Sequence, residues 1–267
     1  MSLADADLAA FEVLALELQA AAADVILPLF RAEHGLEDKG PAKNGEFDPV
    51  TQADRGAEAA IRQVIAERHP DHGVIGEEYG EDRPDAEFVW VLDPVDGTRA
   101  FICGLPVWTT LIALRHQGRP VVGAIGQSYL GEVFLGSRRG ATLVSNAGLR
   151  PLRVRPCGSL AQALIATTDQ NIFKGEDADR WARVRQSARL ARYGCDAYAY
   201  AMAALGCMDA VVETGLKAWD IEAAIPVIEG AGGYITHWSG EPIGPYGGNM
   251  LIAGDARVRD EAIALLG

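Results

Sequence analysis

Trp90-Val91-Leu92-Asp93-Pro94-Val95-Asp96-Gly97-Thr98-Arg99-Ala100-Phe101 joins an apolar run to two aspartates three positions apart. The run from Phe88 to Leu92 reads as a buried strand, which Pro94 blocks from further pairing. Carboxylates splayed by a tight turn at a strand end can both face one hard cation. Gly97 and Thr98 then open a helix whose free N–H groups point at an anion. A cation beside an anion cradle on one turn implies metal-assisted phosphate chemistry. Taken alone, an Asp-Pro turn with a side-chain cap accounts for the same residues.

The turn does not stand alone. Val74-Ile75-Gly76-Glu77-Glu78-Tyr79-Gly80 lies upstream and ends in paired acids. Asp48-Pro49-Val50-Thr51-Gln52-Ala53-Asp54 lies further upstream. Downstream come Lys217-Ala218-Trp219-Asp220-Ile221-Glu222-Ala223-Ala224 and Glu229-Gly230-Ala231-Gly232-Gly233. In this order the blocks resemble the inositol-monophosphatase-like family of magnesium-dependent, lithium-sensitive phosphomonoesterases, over roughly residues 40–255. The D-P-x-D-G-T block is specific only together with the later W-D.

The resemblance implies a ligand set. Asp93 would bridge two Mg2+ ions, Asp96 would bind one, and the Val95 carbonyl between them would be a further ligand. Glu77 matches the glutamate ligand, and Asp220 matches the ligand from the second lobe. Asp220 also stands where an N-cap would. Oxygen-only ligands favour magnesium over zinc, with two or three ions per site. Two ions about 4 Å apart would activate a water and stabilise the leaving oxygen. Thr98 would orient that water with Asp54, and Asp54 equally fits a capping box with Thr51. Gly97 and Thr98 would hold the phosphate. Glu78 reads as a supporting acid.

Specificity comes from other residues. Asp196, in Tyr193-Gly194-Cys195-Asp196-Ala197-Tyr198, and Glu213, in Val211-Val212-Glu213-Thr214-Gly215, fall at the family's substrate-contact positions. Two carboxylates suit an ammonium or imidazolium better than a polyol. Asp196 also fits a simple helix cap. Three stretches look like the histidinol-phosphatase branch: Gly104 to Leu114, Asp96 to Phe101, and Tyr193 to Tyr198. The implied substrate is L-histidinol phosphate. The alternatives are inositol 1-phosphate or broad monoester hydrolysis, then a 3′-phosphoadenosine nucleotide. Lys39 or Lys43, in a polar loop over 36–47, is the candidate to tune the metal site. Trp108 reads as a core or dimer-interface aromatic, Arg99 as a rim residue. No histidine is assigned to catalysis.

The chain has 267 residues, 49% hydrophobic and 23% charged, enough for one large two-lobed core. A net charge of −13 argues against nucleic acid and obliges a phosphate-binding site to carry cations. No leader pattern and no membrane-spanning run is visible, so a cytoplasmic protein is expected. Cys103, Cys157, Cys195 and Cys207 lack metal spacing and read as reduced thiols. The resemblance implies a homodimer.

Periodicity predicts a helix over 5–33 and a capped helix over 51–68. Short strands follow at 74–77 and 88–93, then an antiparallel meander over 107–144. Residues 145–158 read as a crossover. The remainder reads as a strand at 163–168, helices at 176–189 and 197–207, a strand at 210–213, a helix over 219–231, strands at 233–237 and 250–253, and a last helix. The pattern itself gives mixed α and β. The family resemblance implies a layered α/β/α/β/α sandwich, with an N-terminal lobe over 1–146 and a C-terminal lobe over 147–267.

Overall fold

The structure is a computed structural model that describes residues 3–33, 35–38, 49–244 and 247–267. Helix α1 (Asp5–Ile26) buries Leu8, Phe11, Leu14, Ala15, Leu18, Ala22 and Ile26, a helical stripe. It stops short of the expected residue 33. Pro28 has no N–H to donate to the carbonyl one turn back, and a 3-10 turn over Leu27–Leu29 replaces the helix. Strands β1 (Glu37–Asp38) and β2 (Pro49–Val50) pair with each other. Residues 37–38, at the start of the loop expected over 36–47, are thus strand, and Lys39 and Lys43 lie outside the described residues. Helix α2 (Gln52–Arg68) starts at the Thr51/Asp54 capping box, as expected.

The first sheet comprises β3 (Gly73–Gly76), β4 (Gly80–Asp82), β5 (Phe88–Asp96), β6 (Thr109–His116), β7 (Arg119–Gln127), β8 (Glu132–Ser137), β9 (Gly140–Ser145) and β10 (Gly148–Pro151). The short helix α3 (Thr98–Ile102) follows β5. The strand order is β10-β9-β8-β7-β6-β5-β3-β4. Residues 148–151 therefore close the meander as its edge strand, and are not part of a crossover. The second sheet has the order β12-β11-β13-β15-β14. Along the chain it and its helices run β11 (Leu164–Thr167), α4 (Glu176–Ser187), β12 (Leu190–Tyr193), α5 (Tyr198–Ala204), β13 (Ala210–Leu216), α6 (Ala218–Ile221), α7 (Ala224–Gly230), β14 (Tyr234–Thr236), β15 (Gly248–Ala253) and α8 (Ala256–Leu266). The single helix expected over 219–231 is two. Pro226 cannot donate to the Glu222 carbonyl, so the first turn ends there.

Strand alternation sorts the core into layers. Trp90, Leu92, Ile112 and Leu114 face α1 and α2. Val89, Val91, Leu111 and Ala113 face the other way, onto α5, α7 and the inner residues Ala166, Val211 and Ile252 of the second sheet. Ile165, Ala210, Val212 and Leu251 bury the outer face of that sheet against α4 and α8. The layer order is helix, sheet, helix, sheet, helix. Trp108 is fully buried against Phe30 and Phe101, which settles it as a core residue.

Candidate active site

Strand β5 carries Asp93 and Asp96 to the edge of the central helical layer. Pairing does not stop at Pro94. It resumes at Asp96 opposite Thr109, after a register shift between Asp93 and Asp96. Bulges of this kind re-aim side chains. The Pro94 carbonyl accepts from Thr110 Oγ1 at 2.8 Å, and Asp93 Oδ1 accepts the Val95 N–H at 3.1 Å. Asp93 is thereby held by its own turn, whereas Asp96 is held from outside it, its Oδ2 accepting from Thr109 Oγ1 on β6 at 3.3 Å.

Asp93, Asp96 and Asp220 each offer a carboxylate oxygen within 4.8 Å of the others. Asp220 arrives on α6, which follows β13 of the second sheet, and its Oδ2 also accepts the Lys217 N–H at 2.6 Å. It is not the N-cap expected of it: Lys217 holds that position, and Asp220 closes the turn from the third helical residue while its carboxylate joins the cluster. Burial pushes Asp93 well above the usual carboxylate range, and the charges of Glu77, Asp96, Asp220 and Asp54 push it further. Burial does the same to Asp96, reinforced by Asp196 and opposed by the Ala197 N–H. Asp220 is raised to about 6 by burial, against the Lys217 N–H and ammonium. Crowded buried carboxylates with hard oxygen donors fit a divalent cation of the Mg2+ type, which would replace mutual repulsion with attraction.

Glu77 lies outside the three-residue cluster yet close enough to be the leading charge acting on Asp93. Its turn is anchored by a residue that sequence reasoning passed over. Glu58, fully buried on α2, accepts the N–H groups of Glu78 at 2.8 Å and Tyr79 at 3.2 Å, and pairs with Arg62 at 2.8 Å. The available signal was spacing. Asp54 and Glu58 stand four apart on the helix face that also carries Ala57, Ile61 and Ile65.

Asp54 serves two partners at once. Its Oδ2 takes the Thr51 N–H at 2.8 Å and the Thr51 hydroxyl at 2.5 Å, while Oδ1 lies 3.2 Å from Thr98 Oγ1. The Thr98 hydroxyl is also 3.0 Å from the Val95 carbonyl. With one proton, it donates to one of these at a time.

Gly97 has φ +82, and a Cβ there would sit 2.9 Å from Asp196 Oδ2. Only glycine allows that approach. Asp196 is itself left-handed, at φ 44. Burial raises it to about 6, against the nearby Arg99. It is not a helix cap: α5 has Ala197 as its N-cap and no side-chain cap bond. The following N–H, that of Ala197, donates to Asp96 Oδ2 at 2.7 Å and so ties the start of α5 to the end of β5. Glu213 is buried on β13. Its Oε1 accepts the Thr168 N–H at 2.7 Å and hydroxyl at 3.0 Å, and its Oε2 lies 3.3 Å from Thr167 Oγ1. Burial raises it to about 8. Tyr200 was also missed. It is buried where Glu213, Asp96, Asp220 and Asp196 all act on its hydroxyl.

A five-layer α/β sandwich with a buried acid cluster at a bulged strand end defines a phosphatase of a metal-dependent class. The chain belongs to the inositol monophosphatase family, whose model matches residues 7–266. It is 38% identical to the bifunctional phosphatase IMPL2, chloroplastic, of Arabidopsis thaliana, covering 99% of this chain and 77% of that one. It is 33% identical to the histidinol-phosphatase of Mycobacterium tuberculosis, covering 94% and 97%. The solved structure of an inositol monophosphatase from Zymomonas mobilis superposes with a TM-score of 0.86 at 37% identity, over 100% of this chain and 99% of that one. Among the described residues no helix is long and apolar enough to cross a membrane.

Proposed function

We propose that the protein is a Mg2+-dependent phosphomonoesterase that prefers L-histidinol phosphate. The observation that carries the preference is Asp196, a carboxylate held in a left-handed backbone against Gly97, one residue from the acid cluster. It adds negative charge where the leaving group of a phosphate bound on Gly97 and Thr98 would lie, and so favours an amino-alcohol cation over a neutral ring. Glu213 lies behind it with both oxygens engaged by Thr167 and Thr168, and because burial raises it to about 8 it adds to that field once a bound cation draws off its proton. Similarity to a histidinol-phosphatase along nearly the whole of both chains supports the reading.

Glu77, Asp93, Asp96, Asp220 and the Val95 carbonyl would hold two or three Mg2+ ions. Bound there, Mg2+ supplies Lewis-acid polarisation of the phosphoryl group and a lowered water pKa. The chain's own contribution is orientation. Thr98 and Asp54 form a relay that aims a water at phosphorus and receives its proton. Glu77 assists from the facing turn, and the Gly97 and Thr98 N–H groups fix the phosphate. Asp220 joins Asp93 and Asp96 at the metal end from α6, beyond the second sheet's β13, whereas Asp196 and Glu213 on that side would face the leaving group. The working form is taken as a homodimer acting on small monoesters.

Inositol 1-phosphate is the second reading, favoured by the whole-chain likeness to the Zymomonas mobilis protein. Phosphate release with Mg2+ across histidinol phosphate, inositol 1-phosphate, p-nitrophenyl phosphate and a 3′-phosphoadenosine nucleotide tests the choice. A higher kcat/KM for inositol 1-phosphate overturns the preference while leaving the metal site standing.

A further inference from the structure

We infer that the buried Arg115–Glu222 pair is a positioning device that sets Asp220 against Asp93 and Asp96; the inference rests on the proposed Mg2+ site. Helix α6 is a single turn, too short to hold an orientation by its own hydrogen bonds. The Lys217 N–H fixes the Asp220 side chain relative to that turn. It does nothing to fix the turn relative to β5, which belongs to the other sheet. Glu222, the residue that ends α6, provides that link. Its side chain is fully buried, and both its oxygens meet the guanidinium of Arg115 on β6, Oε2 with Nε at 3.2 Å and Oε1 with the terminal nitrogen.

Arg115 stands opposite Val89 of β5, so the fork is mounted on the strand pair that carries the two aspartates. A second close contact seats the same segment. A Cβ on Gly123 of β7 would lie 2.1 Å from the Ala223 carbonyl. That contact limits how near the segment lies, whereas a two-point guanidinium–carboxylate fork also fixes its rotation. Asp220 is two residues from Glu222 on one turn. Any tilt that frees Glu222 from Arg115 therefore moves Asp220 relative to the cluster. Buried ion pairs contribute little net stability compared with apolar residues of similar volume, and their best-attested use is to specify one arrangement.

The test measures Mg2+ binding to the chelator-stripped full chain by titration calorimetry, beside thermal melting in chelator and phosphate release against Mg2+. The double variant Arg115→Met/Glu222→Leu removes both charges together and leaves no orphaned ion. Its Mg2+ dissociation constant should rise about tenfold or more, the usual scale for a group that orients a metal ligand. Turnover should recover toward wild type at saturating Mg2+. The control is Arg155→Met/Asp209→Asn. That pair is also two-pronged, at 2.7 and 2.6 Å, on a fully buried carboxylate, though its arginine is partly exposed, and no acid of the site acts on it. It should lower the melting temperature and leave Mg2+ affinity alone. A cooperatively folded Arg115→Met/Glu222→Leu protein with wild-type affinity overturns the inference, as does an equal loss in the control. Should the double variant fail to fold, Arg115→Lys decides, because it keeps the charge and loses the second prong; unchanged affinity there overturns the inference too. Wild type that binds no Mg2+ removes the functional proposal and this inference together, whereas equal binding by wild type and variant removes only this one.

Discussion

Asp93→Asn should make the metal-free protein more stable while abolishing its activity. The three cluster carboxylates present oxygens within 4.8 Å of one another. At an effective dielectric of about 20, two unit charges at that separation repel by about 3.5 kcal/mol. Asp93 feels two such neighbours and Glu77 besides, and part of the repulsion is already relieved by proton uptake, since its pKa lies well above the usual range. A net gain of about 1–3 kcal/mol is left for the neutral amide, which raises the melting temperature by roughly 2–12 °C in a chain of this size. Asparagine keeps an oxygen for the Val95 N–H now bonded at 3.1 Å, so the turn survives. With Mg2+ at a hundred times its dissociation constant, wild type gains about 2.7 kcal/mol. The variant should lose most of that gain. Scanning calorimetry in chelator and in Mg2+ reads both effects. A variant that melts below wild type in chelator, or that keeps the full Mg2+ shift, refutes the account of the cluster as a repulsive cation site.

Asp196→Asn should lower kcat/KM for histidinol phosphate about tenfold, or about 1.4 kcal/mol, and leave p-nitrophenyl phosphate nearly unchanged; equal losses on both would make the residue structural. Thr98→Val should lower kcat by about 10²–10⁴ with little change in melting temperature, if its hydroxyl orients the water through Asp54. Stability in chelator should fall as pH rises. Asp220 and Asp196 have folded pKa values near 6 and Glu213 near 8, all above their ordinary values, so their contribution is complete in acid and is lost as pH climbs through about 6 and then about 8. Saturating Mg2+ should flatten that slope, and a melting temperature in chelator that rises from pH 5 to 8 would contradict it. Gly123→Ala should cost about 1–3 kcal/mol in urea unfolding, because the new methyl meets the Ala223 carbonyl backbone, which cannot rotate away.

The parts of this site legible from local spacing alone are those whose neighbours are also neighbours in the chain, whereas Glu77, Asp220, Asp196 and Glu213 were reached only through the family resemblance. Asp93, Asp96, Gly97 and Thr98 share one turn. Thr51 and Asp54 share one capping box, so their spacing carried the geometry. Glu58 was half legible, as an acid one helical turn beyond Asp54. The Arg115–Glu222 pair, 107 residues apart, was not legible at all, since no local period links the two. Strand β10 is exposed at all four positions and has no apolar alternation to announce it. The early end of α1 and the split of α6 from α7 were readable at Pro28 and Pro226, where a helical pattern was allowed to override a missing donor.

Asp96 on β5 accepts its bond from the backbone N–H of Ala197 at the start of α5, not from the side chain of Asp196. Position 196 can therefore change its side chain without cutting the bond that holds Asp96 in the acid cluster. The freedom is bounded by the φ of 44 there, which short residues such as Asp, Asn and Gly tolerate and β-branched ones resist. If Asp196 faces the leaving group as proposed, a small alphabet of single substitutions there would trade one leaving group for another while the bond that holds Asp96 stays in place.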